Sequence, residues 1–317
     1  MYDVVALGEL LIDFAPKSVN DQGYPTLAAN PGGAPGNFLA ALNRYGCKTA
    51  MIGKVGDDMF GRLLLGTLKK AGIETGGILI DPDVFTTLAF VSLDASGNRD
   101  FSFARKPGAD TCLRAEEVSG DLLRATKVFH FGTLSLTNEP AASATRYAIE
   151  TAKAAGALIS LDPNLRKPLW KNEDEAKAAI EFSLGQADIV KISDEEIEFL
   201  WGISPEAGAE KLIREYGVSL VYATLGPKGC HAATRNVQVS VSSPSGIQVV
   251  DTTGAGDIFG GSAMSQFLQC GKKAEALTED ELTAIVRFAC TAASLSTQKH
   301  GGITSVPDKA DVLQKMA

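Results

Sequence analysis

Seven consecutive residues, DTTGAGD at 251–257, bring two carboxylates, two hydroxyls and two glycines up against an apolar stretch. The chemistry such a set can do is anion handling with a base at hand. The helix expected next carries apolar residues at Ile258, Phe259, Ala263, Met264, Phe267 and Leu268, close to a 3.6-residue period, with Gly271 as its stop signal. Gly254, Ala255 and Gly256 then fall on the turn into a helix N-terminus. Unpaired backbone N–H groups and the positive end of the helix dipole favour an anion there. Glycine lets the backbone approach that anion without a Cβ between them. Asp257, at the helix start, is placed to accept a proton from a substrate hydroxyl. Two other accounts compete. One is a glycine turn with Asp257 as a plain N-cap. The other is a dinucleotide turn, GAGDIFG, after a strand at IQVVD (247–251). Asp257 would crowd a pyrophosphate there, and no ribose-binding acid follows about 20 residues on in the expected strand. No GxxxxGK followed by Ser or Thr occurs.

Three further stretches carry related chemistry. In NPGGAPGNFLAAL (30–42), Gly32 and Gly33 expose backbone, and Asn37 offers both donor and acceptor at a helix start. In GKVGDDMFG (53–61) a structural account covers every polar residue: Gly53 and Gly56 turn the chain, and Asp57 or Asp58 caps the next helix. KISDEEIEFL (191–200) and TLGPKG (224–229) both lie just past expected strands. Lys191 can meet phosphate as a point charge, Glu196 can help hold a magnesium hydration shell, and Gly226 and Gly229 leave room for a nucleotide. The competing account makes these acids helix-dipole partners.

The elements that must position these residues follow from periodicity. Short apolar runs at 3–8, 48–53, 127–132, 157–162, 187–193 and 219–226 suit strands covered on both faces. Amphipathic segments at 37–46, 58–72, 139–156 and 195–202 lie between them. This alternation predicts an α/β fold with a mainly parallel sheet between helices, whose ligands sit at the carboxyl ends of the strands. Two regions break the rhythm. Residues 13–31 lack a helical period and read as loop, with Gly23 and Pro25. Residues 86–105 read as a hairpin turning at SGN, with Phe101, Phe103 and Arg105 on one face. Together they predict a small β lid (13–31 and 86–107) on a core formed by 1–12, 32–85 and 108–317.

Composition narrows the function classes. The chain has 317 residues, 45% hydrophobic, with a net charge of -8, which argues against a nucleic-acid surface or a polybasic membrane anchor. No apolar run of about 18 residues occurs, so no membrane span is expected. Five scattered cysteines, none in a CxxC pair, disfavour a disulfide framework or a zinc site. A start of MYDVVALGELLIDF reads as a first strand rather than a signal peptide, and a cytoplasmic setting is expected.

Taken together and in order, these stretches resemble the ribokinase-like carbohydrate kinase family over nearly the whole chain. The signatures are NPGGAPGN and DTTGAGD, and GGAPGNFLAAL, IGKVGDDMFG, FSFARKPGAD, SLDPNLRKPLW and VKISDEEIEFL are similar to segments of its fructokinase members. The resemblance implies a three-layer α/β/α ribokinase-like fold with a small β-sheet lid. It implies ATP-dependent phosphorylation of a sugar's primary hydroxyl, with D-fructose giving fructose 6-phosphate and ADP. Asp257 would be the base, and the amides of Gly254, Ala255 and Gly256 the anion hole for the transferring phosphoryl group. Beside a helix N-terminus, Asp257 is expected to stay ionised.

The resemblance also implies sugar contacts from Asp13, Gly32, Gly33 and Asn37, with Phe103 and Arg105 reaching over from the lid. Asn164 and Arg166 match a substrate or phosphate position, although DPN also makes a simple turn. Lys191, Ser193, Glu196, Thr224, Gly226 and Gly229 correspond to the ATP cleft. Ser193 stands where the family often has Asn, so the network around a magnesium-bound water is thinner. Asp251, Thr253, Ser296, Gly301 and Ser305 correspond to a monovalent-cation site, for K+, mostly through backbone carbonyls. His130, His231 and His300 are not needed, His231 being read as a surface strand residue. A homodimer through the lid face around Leu88 and Phe90 is expected.

Other readings stay open. Arg105 suits a carboxylate as well as a hydroxyl, which keeps 2-keto-3-deoxygluconate beside fructose, with ribose and an aminoimidazole riboside as further substrates. An NAD-binding oxidoreductase and a non-catalytic sugar-binding protein are the readings from other classes.

Overall fold

A computed structural model of the chain describes residues 1–93 and 99–317. Its strands, in chain order, are β1 (Tyr2–Leu7), β2 (Leu11–Val19), β3 (Pro25–Gly32), β4 (Thr49–Gly56), β5 (Glu74–Asp81), β6 (Thr87–Leu93), β7 (Arg99–Ala104), β8 (Thr126–Gly132), β9 (Leu158–Asp162), β10 (Ile189–Ser193), β11 (Leu220–Thr224), β12 (Cys230–Thr234) and β13 (Gln238–Val241). Nine of them form one sheet in the order β13-β12-β11-β10-β9-β8-β1-β4-β5. It is parallel from β11 to β5 and antiparallel at the β11-β12-β13 edge.

The apolar strand runs are continuous because both faces are covered. Successive side chains of a strand point to opposite faces, so one strand feeds two cores. In β1, Val4 and Ala6 join one cluster, and Val5 and Leu7 join the other. β8 divides the same way, Val128 on one side and Phe129 and Phe131 on the other. Helices Ala34–Arg44, Ala255–Cys270 and Glu279–Ser296 bury Phe38, Met264, Phe267 and Phe288 in the first cluster. Helices Ala141–Ala154, Glu173–Leu184 and Pro205–Glu215 bury Ile149, Ile180 and Leu212 in the second. Three layers result. Because β1, β9, β10 and β11 run parallel, their carboxyl ends share one edge, where Glu9, Asp162, Ser193 and Thr224 stand.

A second sheet, in the order β3-β2-β6-β7, is built from the two segments that broke the α/β rhythm. Residues 13–31 are therefore two antiparallel strands and not a loop. β2 starts in the core with Leu11 and Ile12 buried and ends in solvent with Val19 exposed. Phe14 anchors the sheet, stacking on Phe90 and meeting Phe60 of helix Met59–Lys70 edge-on. The expected SGN turn and the side chain of Phe101 lie outside the described residues.

Two expectations fail here. IQVVD is not a strand: no neighbour pairs with it among the described residues, Val249 and Val250 are exposed, and the N–H groups of Val250 and Asp251 both go to the carbonyl of Thr297. His231 is not at the surface. It is 4% exposed on the wholly buried β12, a strand of small residues that periodicity passed over.

Candidate active site

A cleft of about 740 Å³ opens at the carboxyl edge of the large sheet, beneath the small one. Its floor is where the N-termini of helices Ala34–Arg44 and Ala255–Cys270 meet. Gly254 is the N-cap of the second helix, with φ +76°, a left-handed conformation that favours glycine. A Cβ there would also lie 2.9 Å from the Cα of Gly302. Asp257 is three residues further in and makes no capping bond, so the plain N-cap account does not hold. The N–H of Ala255 goes to the carbonyl of Thr252 at 3.2 Å, whereas those of Gly254 and Gly256 carry no hydrogen bond among the described residues. The free donors expected at the turn are present, but Ala255 is partly committed to closing it.

Asn37 Nδ2 donates to Asp257 Oδ2 at 2.8 Å, joining residues 220 apart in sequence. Asn37 is 3% exposed, and its Oδ1 is buried without a partner. Burial pushes the Asp257 carboxyl up to about 7, and the charge of Asp162 adds to this; the Asn37 bond, Lys191 and Arg166 oppose it. The expectation that Asp257 simply stays ionised is thereby corrected. The helix N-terminus does not outweigh desolvation and a neighbouring carboxylate.

Lys191, on β10, does not point free into the cleft. Its Nζ contacts Asp162 Oδ2 at 3.0 Å and Oδ1 at 3.2 Å, from the end of the adjacent β9. Burial works against the ammonium, but Asp162, Glu196 and Asp257 outweigh it and raise its pKa. Ser193 and Glu196 form a reciprocal cap on helix Asp194–Trp201, and Glu196 Oε1 accepts the N–H of Leu165 at 2.8 Å. The dipole-partner account of these acids is thus right as far as it goes, yet both residues also line the cleft. Asn164 adopts φ +48°, which Asn tolerates, and its N–H turns back to Asp162 Oδ1. Arg166 lines the cleft, with Nη1 on the carbonyl of Leu165.

On the β1 side the cleft is lined by Glu9, Asp13, Gly33, Asn37 and Phe103. Gly32 packs against the Asp13 carboxylate, where a Cβ would fall 2.5 Å from Oδ2. Glu9 is 3% exposed and accepts the N–H of Ala34 at 2.8 Å. Burial pushes its carboxyl up to about 7, with Arg105 nearby opposing.

Several expected residues are placed elsewhere. Arg105 lies beyond the end of β7 and does not reach over the cleft. It is buried against Asp110, with Nη1 on Thr137 Oγ1 and Nη2 on the carbonyl of Leu134. Thr224 ends β11 at the same edge and Gly226 and Gly229 follow it, but none of the three lines the cleft, and Gly229 packs against the carbonyl of Val241. Among the cation candidates, Asp251 draws two loops together, accepting Thr253 N–H and Oγ1 through Oδ1 and Gly301 N–H through Oδ2. The hydroxyls of Ser296 and Ser305 point to backbone carbonyls of Ala293 and Gly302. Among the described residues no group of three or more His, Cys, Asp or Glu is placed to hold a metal ion directly.

Sequence reasoning passed over Glu9, Asp162 and Asp110. The first two had a usable signal: each is an acid immediately after, or closing, a buried strand at the ligand edge. Asp110 had none, because only folding shows its partner.

A doubly covered parallel sheet, with free helix N-terminal N–H groups and a buried aspartate at its carboxyl edge, is the arrangement expected of a phosphotransferase with an alcohol as acceptor. The comparisons agree. Residues 1–309 match the family described as pfkB family carbohydrate kinase, and the chain belongs to that family. It is 41% identical to Fructokinase-2 of Solanum lycopersicum over 98% of this chain and 94% of that one. It superposes on the ATP-bound fructokinase of Xylella fastidiosa with a TM-score of 0.90 at 31% identity, covering 100% of this chain and 98% of that one. A double mutant of the Vibrio cholerae O395 fructokinase, bound to fructose, ADP and a potassium ion, gives 0.87 at 32%, covering 100% and 99%. The ribokinase-like fold expected from the motifs is therefore the fold observed.

Proposed function

We infer that this chain is an ATP-dependent fructokinase, transferring the γ-phosphoryl group to the primary hydroxyl of D-fructose to give fructose 6-phosphate and ADP. The observation that carries this reading is the placement of Asp257 beside the unpaired N–H groups of Gly254 and Gly256. Asn37 holds Oδ2 of Asp257 and leaves Oδ1 to take the hydroxyl proton. The Gly254 and Gly256 amides face the charge that develops on the phosphoryl oxygens, where fixed donors cost no reorganisation. Lys191, 3.1 Å from where a Cβ of Gly256 would lie, supplies a positive charge beside the cradle. The choice of fructose rests on the fructokinase relatives and on the hydroxyl-binding set Asp13, Asn37 and backbone at Gly32 and Gly33.

Magnesium, when bound with the nucleotide, would neutralise phosphate charge. Asp162, at the end of β9, and Glu196, in the first turn of the helix after β10, are hard oxygen donors and fit its hydration shell; Glu196, with backbone N–H groups on both oxygens, would act through water. The loops drawn together by Asp251 fit a potassium site, supported by the potassium-bound relative. ADP release in sodium against potassium buffers tests it, and equal rates would remove the site. We also place the protein in the cytoplasm, since its five cysteines are all free thiols, and expect a homodimer through the small sheet. Fractionation checks the first, and a monomer mass in solution would end the second. Among the described residues no helix is long and apolar enough to cross a membrane.

The deciding experiment is ADP release with Mg-ATP and D-fructose, run beside ribose and 2-keto-3-deoxygluconate. Fructose-dependent ADP that vanishes in Asp257→Asn is the expected outcome. A higher kcat/KM with another sugar would keep the mechanism and overturn the substrate.

A further inference from the structure

The β1 side of the cleft is acidic, lined by Glu9, Asp13 and Asp257. Directly behind it stands Arg105, whose Nη2 binds the carbonyl of Leu134, itself a cleft residue, and whose charge acts on Glu9. That guanidinium is not available. The side chains of Arg105 and Asp110 are 3% and 2% exposed; Nε and Nη2 meet Asp110 Oδ2 at 2.8 and 2.7 Å, and Nη1 goes to Thr137. Thr87 Oγ1 donates to the other oxygen of Asp110 and fixes the carboxylate in turn. Arg166 also lines the cleft, but it stands past the end of β9, where its charge offsets that of Asp257.

We propose that Asp110 determines specificity: by pairing with buried Arg105, it cancels a positive charge behind the cleft wall and so favours uncharged sugars over sugar acids. The inference rests on the sugar-kinase reading above. Above about pH 7, where Glu9 and Asp257 carry their charge, a sugar acid entering this end meets Glu9, Asp13 and Asp257 in front of a cation that Asp110 neutralises, while Lys191 is paired with Asp162 and Arg166 and Lys167 stand past β9. In a desolvated cleft that juxtaposition discriminates by repulsion, without any contact to the acid itself. Releasing the cation requires only that the compensating charge behind it be removed, while Arg105 keeps its bonds to Leu134 and Thr137.

The test compares kcat/KM for D-fructose and 2-keto-3-deoxygluconate in wild type, Asp110→Asn, Glu9→Gln and the double variant R105Q/D110N, with thermal unfolding as the check on folding. Wild type is expected to favour fructose. Asp110→Asn is expected to raise the acid-to-fructose ratio by about tenfold or more. Glu9→Gln removes a carboxylate but leaves the pair, so the ratio rises by a smaller factor. R105Q/D110N returns the ratio towards wild type, because the uncompensated charge of Arg105 behind the cleft wall is what attracts the acid. An unchanged ratio in folded Asp110→Asn overturns the proposal; if that variant does not fold, an unchanged ratio in Glu9→Gln does so. Wild type that uses the acid as well as fructose overturns it too. No ADP from wild type with either sugar sinks the kinase reading, and this inference with it.

Discussion

Two aspartates sit near the starts of helices in glycine-containing turns, and the fold treats them in opposite ways. Asp58 caps helix Met59–Lys70 and is saturated: it accepts from Phe60 N–H, Gly61 N–H, and both the N–H and Oγ1 of Thr86. Burial works against its charge, but these bonds outweigh it and hold the carboxyl below its usual range. Asp257 accepts one side-chain bond, from Asn37, and burial with the nearby Asp162 charge pushes it up to about 7. Burial disfavours the charge of both, and the number of donors decides the outcome. A saturated carboxylate is a structural part; an unsaturated one near neutrality is a base with a free lone pair. The two turns look alike in sequence and differ in what the rest of the chain delivers to them.

The largest test of this contrast is Asp257→Asn. It should lower kcat by roughly 10²- to 10⁴-fold, the usual worth of a general base, while thermal stability at neutral pH is no lower than that of wild type, because the raised pKa of Asp257 opposes folding. A folded variant with kcat within a few-fold of wild type would end the role assigned to Asp257. Asp58→Ala should do the converse. Losing a cap and leaving buried N–H groups at Thr86 and Gly61 unpaired is expected to cost about 2–4 kcal/mol in urea unfolding. Its kcat per folded molecule should be nearly unchanged, and a catalytic defect at full stability would contradict the division.

How much of this was legible beforehand depends on where the cause lies. Six strands of the large sheet (β1, β4 and β8 to β11) follow from local periodicity, whereas β5 was not expected, and DTTGAGD and NPGGAPGN announce their turns through glycine. Asp257 as the candidate base was therefore readable, but its raised pKa was not, because it depends on burial and on Asn37 and Asp162 arriving from distant parts of the chain. Arg105 shows the same limit. Its strand alternation pointed to the cleft, and Asp110, five residues on, turned it inward. IQVVD had a strand's composition without a partner to pair with, and strand identity is a property of the pair. In contrast, β12 and β13 pair well but carry small and polar residues (HAAT, QVSV) that give no apolar signal.

The pH dependence sharpens the comparison further. The base form of Asp257 is lost as pH falls through about 7, so kcat/KM should drop about tenfold per pH unit below that point. Glu9 titrates in the same range, so Glu9→Gln should keep this limb if Asp257 causes it. The stability signs are opposite for the two aspartates. Asp58, with a lowered folded pKa, contributes stability above the unfolded value that is lost as pH falls through its folded one. Asp257, with a raised one, opposes folding as pH rises from its unfolded value of 3.8 towards about 7. Urea unfolding of Asp257→Asn should therefore lose this unfavourable slope, and that of Asp58→Asn the favourable one. A slope unchanged in either variant would assign the titration elsewhere.

The smallest effect expected is that of Asn37→Ala, and it probes the single bond that distinguishes the base from an isolated buried acid. Asn37 Nδ2 stabilises the charged form of Asp257 at 2.8 Å, so its removal should move the acid limb of kcat/KM to higher pH by less than about one unit. At pH 8.5, above the limb, the remaining loss should be about tenfold, reflecting a carboxylate that is ionised but no longer held in place. Asn37→Asp separates the two contributions: a second carboxylate at that site should shift the limb much further, because two like charges in contact cannot both ionise readily. If Asn37→Ala leaves the limb in place and lowers the rate equally at every pH, Asn37 orients Asp257 without tuning it. The raised pKa would then be set by burial and Asp162 alone, and Asp162→Asn would be the variant that moves the limb, towards lower pH.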